Sequence, residues 1–180
     1  NSVVETSEGD YVINGQAVAN HPTTYLIKIN SDGNEIWKKI FQDVFHGESV
    51  CETQDNGFVF TSITGSVLFG DTNVKLVKTN ENGNKEWETI FGTEGDELPH
   101  EVKLANDGGF VIIGSLSTDI GNGYDFLLLK TDEKGIINNP PNTAEIDGPN
   151  MGNASTDILE YILLSEDVEG DDIYYYVDWG

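Results

Sequence analysis

The sequence predicts an all-β protein, and three observations carry that expectation. A unit of about 50 residues recurs three times. Each copy holds short runs rich in Val, Ile, Leu, Phe and Tyr, bounded by Gly, Asn and Asp clusters, which is the pattern of strands and tight turns. No stretch keeps the 3.6-residue helical period over ten residues.

The repeat is fixed by anchors that keep their order. An aromatic residue follows a turn at Tyr11, Phe58 and Phe110, in steps of 47 and 52 residues. An apolar run ends in lysine at Leu26-Ile27-Lys28, Leu76-Val77-Lys78 and Leu128-Leu129-Lys130, in steps of 50 and 52. A turn then comes at Asn30 to Asn34, Asn80 to Asn84 and Asp132 to Gly135. Two copies continue with a tryptophan strand, Trp37 to Phe41 and Trp87 to Phe91. The third has Asn139 in that place and Pro140-Pro141 directly after it, so its last strand is expected to be degraded.

Within the first copy, Ser2 to Thr6 and Tyr11 to Gly15 read as a hairpin about Gly9. A polar loop through Asn20-His21-Pro22 leads to a third strand, Thr24 to Ile29, and the Asp32-Gly33 turn leads to a fourth, Glu35 to Phe41. The second copy repeats this from Ser49 to Phe91, and the third from Glu101 to about Asn138. Four short strands in about 50 residues match one blade of a β-propeller. The expected boundaries are about 1–47, 48–96 and 97–139. Packing between neighbouring blades is the expected role of Trp37 and Trp87, because stacked repeats bury their faces against each other. Lys28, Lys78 and Lys130 are expected to point outward and to guard a strand edge.

Beyond Pro140 the composition shifts. Residues 140–180 hold 10 Asp and Glu and no lysine, against 22 and 9 before them. Pro140 to Thr143 reads as a stiff linker. Strands are expected at Ala144 to Pro149, Asp157 to Leu164 and Ile173 to Trp179. Three strands with a tryptophan on the third fit the opening of an immunoglobulin-type sandwich, which needs about seven. Residues 140–180 are therefore expected to be the N-terminal part of such a domain, cut off at Gly180. The chain opens at Asn1 inside a strand-like segment, so the true N-terminus is expected upstream.

The formal charge is −23, with nine lysines and no arginine. That balance argues against nucleic acid, whose binding rests on neutralising phosphates, and against anionic lipid. No run of 18 apolar residues is present to span a membrane. The single cysteine, Cys51, stands where the other copies have Val4 and Lys103, so it reads as a small buried residue.

No catalytic constellation stands out, and a non-enzyme is expected. His21, His46 and His100 occupy no equivalent positions and lack partners at zinc-ligand spacing. An EF-hand-like reading of the Asp-Gly turns fails, because Lys28, Lys78 and Lys130 stand five residues before Gly33, Gly83 and Gly135, where an oxygen ligand is required. The candidate calcium ligands are Asp167, Glu169, Asp171 and Asp172, four carboxylates within six residues. The alternative for them is a solvated, charge-rich turn.

Asp107 to Gly114, Tyr124 to Asp132 and Gly83 to Gly92 resemble a family of propeller-like repeats in secreted and cell-surface proteins of bacteria and archaea. The shared pattern runs D-G-G-aromatic, then aromatic-D to a strand ending in K-[TL]-[DN], then G-N-x-x-W. The first copy departs from it, with Gly9-Asp10 for the double glycine and Thr24-Tyr25 for Tyr-Asp. Asp167 to Asp171 and Tyr176 to Gly180 resemble the start of a polycystic-kidney-disease-type (PKD) or related immunoglobulin-like module. The resemblances imply an extracellular or cell-surface, non-catalytic protein for adhesion or ligand binding, with glycans or other surface proteins as partners. The alternatives are a purely structural spacer, or an accessory region of a secreted hydrolase whose catalytic domain lies outside these residues.

Overall fold

The computed structural model describes residues 2–18, 22–42, 45–66, 70–92, 95–117, 123, 125–137, 145–147 and 162–164. The chain forms two compact units, Asn1–Ile137 and Asn138–Gly180. It is all-β, with no helix among the described residues.

The first unit is three antiparallel sheets. Sheet 1 holds β1 (Ser2–Glu5), β2 (Tyr11–Val18), β3 (Pro22–Ile29) and β4 (Glu35–Phe41), hydrogen-bonded in chain order. Sheet 2 repeats that order with β5 (Phe45–Glu52), β6 (Phe58–Ser66), β7 (Gly70–Thr79) and β8 (Lys85–Phe91). Sheet 3 holds β9 (Asp96–Leu104), β10 (Phe110–Ser117) and β11 (Asp125–Thr131). Beyond β11, Ile137 makes one isolated bridge to Thr131 where the other sheets have a fourth strand.

Sheets 1 and 2 agree in register as well as order. Lys28 lies opposite Trp37 and Lys78 opposite Trp87, and each pair is followed by a one-residue slip. Six loops share one geometry: those opening at Thr6, Asn30, Thr53, Asn80, Ala105 and Asp132. In each, the opening residue accepts from the residue three further on and donates to the carbonyl four further on. This is a three-residue hairpin loop, a type I turn closed by a left-handed residue. The left-handed place is taken by Gly33, Gly83 and Gly135 in one set of loops, and by Gly9, Asn56 and Gly108 in the other.

β5 begins at Phe45 and β9 at Asp96, ahead of the expected Ser49 and Glu101. The register slips between Phe45 and Ser49, and opposite Ile113 and Gly114. Such bulges break the two-residue alternation that marks a strand in sequence, so these strand openings look like polar loops.

The sheets stack face to face, and strand alternation sorts their side chains. Val12 and Leu26 of sheet 1 meet Val50, Phe58, Phe60 and Val77 of sheet 2, with Val4, Trp37 and Phe41 closing the edge. The opposite face of sheet 2, with Cys51, Val59, Val74, Leu76 and Phe91, meets Val102, Phe110 and Ile112 of sheet 3. Burying each of the larger side chains stabilises the unit by about 1.5–3 kcal/mol. Trp37 sits 6.0 Å from Phe58, and Trp87 6.1 Å from Phe110, ring centre to ring centre. Both tryptophans thus pack on the aromatic that opens the second strand of the next sheet.

In the second unit, β12 (Glu145–Asp147) pairs antiparallel with β13 (Ile162–Leu164), Glu145 opposite Leu164. The expected third strand, Ile173 to Trp179, lies outside the described residues.

Candidate functional site

Lysine-carboxylate contacts tie the turns to the sheets. Lys28 Nζ lies 3.4 Å from Glu8 and 3.2 Å from Asp10. Lys78 Nζ lies 2.9 Å from Asp55 and 3.0 Å from Glu86, and donates to the Thr79 carbonyl at 2.9 Å. Lys130 Nζ lies 2.7 Å from Asp107 and donates to the Thr131 carbonyl at 2.9 Å. Each lysine therefore joins the end of a sheet's third strand to the loop between its first two strands.

The expectation that these lysines face outward and guard an edge is wrong for Lys28 and Lys78, while Lys130 lies on β11, an edge strand of sheet 3, with its side chain 33% exposed. β3 and β7 are interior strands, and Lys78 is 6% exposed. The alternation that buries Leu26 and Leu76 places lysine on the same face two residues later, where the turn carboxylates meet it. Burial pushes Asp55 upward, but hydrogen bonds from Thr53, Lys78 and the Gly57 amide outweigh it and hold its carboxyl down at about 2. Lys130 and the Gly109 amide hold Asp107 below the usual carboxylate range.

Cys51 is buried. Burial pushes its thiol up to about 11, against smaller opposing effects of the Leu104 backbone and Lys103. The Cys51 thiolate is therefore disfavoured, and the residue packs as an apolar one. His100 Nε2 lies 2.9 Å from Ser115 Oγ. Among the described residues, no group of three His, Cys, Asp or Glu gathers to hold a metal ion. The candidate calcium ligands Asp167, Glu169, Asp171 and Asp172 lie outside the described residues.

Three hollows bear on ligand binding. One of about 670 Å³ lies on the outer face of sheet 1, lined by Val3, Ile13, Ala17, Tyr25 and Ile27, with Lys38 Nζ 4.4 Å from the Tyr25 ring centre. This is the shallow side of an uncovered sheet. A second, about 310 Å³, lies at the turn end between sheets 2 and 3, beside Gln54, Asp55, Glu86, Trp87 and Lys134. The Lys78 contacts already occupy two of its three carboxylates, Asp55 and Glu86, the third being Glu133.

The third hollow, about 530 Å³, lies between sheets 1 and 2 and is lined by Lys39, Lys75, Lys85, Asn84 and Glu88, among others. Lys75 lies 3.0 Å and Lys85 2.8 Å from Glu88, and Lys39 donates to Asn84 Oδ1 at 2.8 Å. The Lys85 bond, opposed by burial and helped by Lys75, holds Glu88 below the usual range. Lys75 and Lys85 thus share the Glu88 carboxylate while Lys39 rests on a neutral amide, so the lining holds three lysines against one carboxylate in a chain of −23. This groove is the chemically distinctive site of the first unit. Sequence reasoning missed it because its lysines sit on β4, β7 and β8, and only the packing of two sheets gathers them. The scarcity of lysine was the available signal: three of nine meet here.

No known protein-family model matches this chain, and no curated protein matches it. No helix among the described residues is long and apolar enough to cross a membrane.

Proposed function

We propose that the chain is a non-catalytic binding module of an extracellular or cell-surface protein, and that its ligand is an acidic saccharide. In this reading the first unit is three β-propeller-type blades, and the second is the opening of an immunoglobulin-like or PKD-type module. The blade reading is supported by the stacking of like-ordered antiparallel sheets, each of the first two ending in a tryptophan strand that packs on the next sheet. The non-catalytic reading is supported by the use of Asp55, Asp107 and Lys78 to lock turns.

The observation that carries the ligand is the Lys39, Lys75, Lys85 groove. A carboxylated or sulfated sugar supplies the charge the groove lacks, and the chain's overall repulsion of anions confines binding to that place. The test is calorimetric titration with an acidic oligosaccharide and with its neutral counterpart. Binding of the acidic ligand alone is expected, weakening with salt and lost in the Lys39→Gln, Lys85→Gln double variant. Equal binding of the neutral sugar, or binding untouched by the double variant, overturns the reading.

A second reading, a purely structural spacer, is favoured by one observation. Trp37 and Trp87 turn onto Phe58 and Phe110 and are not free to act as stacking platforms. Failure of both sugars to bind would establish it. For the second unit, Asp167, Glu169, Asp171 and Asp172 are the proposed calcium ligands. A rise in melting temperature with millimolar calcium, abolished in Asp167→Asn, Asp171→Asn, is the expected result.

A further inference from the structure

Among the described residues, the stacking of the first unit uses one interface twice, and the outer faces of sheets 1 and 3 each present one half of it. Register identifies the equivalent positions. Val3 pairs with Ile13, Val50 with Phe60 and Val102 with Ile112, so the three valines hold one place in their sheets. Val50 is 5% exposed and Val102 1%, but Val3 is 62% exposed. On the opposite faces, Leu26, Leu76 and Leu128 likewise share a place, each two residues before the lysine. Leu26 and Leu76 are 0% exposed, but Leu128 is 60% exposed, beside Phe126 at 71%. The outer face of sheet 1 is thus the receiving half of the interface, and the outer face of sheet 3 is the donating half.

We propose that a second copy of this chain occupies these faces, with the Phe126 and Leu128 face of one copy seated on the Val3, Ile13 and Ile27 face of the next. The occupant is argued from the two internal contacts, which show what each face fits. The apolar face of sheet 1 pairs with that of sheet 2, and the opposite face of sheet 2 with that of sheet 3. A polar contact also crosses the first of these interfaces. Glu52 accepts from Ser7 N at 2.8 Å and Ser7 Oγ at 3.2 Å across sheets 1 and 2. Its counterpart Glu5 is exposed, and the counterpart of Ser7 in sheet 3 is Asn106, whose amide Glu5 meets in the seated copy. The contact joins two different faces, so it is heterologous, and copies close into a ring or extend as a filament. The inference rests on sheet packing alone and stands apart from the saccharide reading.

The experiment is mass determination by sedimentation and native mass spectrometry on the full chain, at physiological ionic strength so that the charge of −23 is screened. Mass is expected to grow with protein concentration. Val3→Glu blocks the receiving face and Leu128→Glu the donating face. Both residues are more than half exposed, so both variants keep the fold, checked by circular dichroism. Each alone is expected at 19.8 kDa, and their equimolar mixture at twice that mass. Ile40→Glu is the control. Ile40 is 56% exposed on the receiving face, but its counterpart Ile90 stays 53% exposed even in the covered sheet, so this change is expected to leave association intact. A wild-type monomer at all concentrations overturns the proposal. So does association that survives Leu128→Glu, which would mean like faces pairing, and so does loss of association in Ile40→Glu, which would mean unspecific adhesion.

Discussion

Lys78 Nζ reaches Asp55 Oδ2 at 2.9 Å from a side chain that is only 7% exposed, whereas the Asp55 side chain is 59% exposed. The ammonium is buried and the carboxylate comes to it from the surface. Asp55 also accepts from the Gly57 amide at 3.2 Å, so one carboxylate fixes both the lysine and its own loop. The folded state holds this carboxyl at about 2, below the roughly 3.9 of an unfolded chain. A depressed folded value means that the unfolded state binds the proton first as pH falls. The contribution of Asp55 is therefore complete above about pH 4 and is lost as pH falls through about 2. Melting curves of wild type and Asp55→Asn are expected to differ most near neutral pH and to converge over that window. A pH-independent difference would mean that Asp55 acts through shape alone.

The two lysine locks should differ in weight. Lys78 bonds two carboxylates and a carbonyl from a buried position, while the Lys130 side chain is 33% exposed and bonds one carboxylate and one carbonyl. Hydrogen bonds to charged groups contribute about 1.5–3 kcal/mol when buried, and exposed ion pairs under about 1. Lys78→Met is expected to cost about 1–3 kcal/mol, and Lys130→Met under about 1, by urea unfolding at neutral pH. Equal costs would show that solvent screens both pairs alike.

How much of this was legible in the sequence can be argued from these lysines. The recurrence of Lys28, Lys78 and Lys130 was plain, but their direction was not. Alternation says that Lys78 shares a face with Leu76, and a lone lysine on an apolar face reads as an error or as an edge. Only the meeting of that buried ammonium with Asp55, 23 residues earlier, gives it a partner. Strands bounded by Gly-containing turns were legible because local chemistry sets them, as at Asn30 and Asn80, whose Oδ1 atoms accept from the amides two and four residues on. The openings of β5 and β9 were not, because bulges hide their period. The Lys39, Lys75, Lys85 groove was not legible either, since it exists only once sheet 1 lies on sheet 2.

Cys51 offers a direct probe of the core between sheets 2 and 3. With its thiol pushed up to about 11, almost none is thiolate at pH 8, and its sulfur is covered. In the native chain it is expected to resist a thiol reagent over hours at pH 8, and to react within minutes in denaturant. Rapid native labelling would mean that sheet 3 parts from sheet 2 far more often than global unfolding allows.

Trp87 tests whether the stacking of sheets, more than their individual hairpins, holds the first unit together. Its ring packs on Phe110 and against Gly135, where an added Cβ would stand 2.6 Å from the indole. Removing a large aromatic from such a contact costs about 3–5 kcal/mol when it is fully buried. Trp87 is half-buried, so Trp87→Ala is expected to cost about 2–3 kcal/mol. The loss should appear at the boundary it seals, so amide exchange is expected to quicken in β9 and β10 before β2 and β3. Trp37→Ala, at the equivalent place between sheets 1 and 2, should reverse that order. If both variants loosen all three sheets together, the stack unfolds as a single cooperative block, and the nearest-neighbour account of its stability fails.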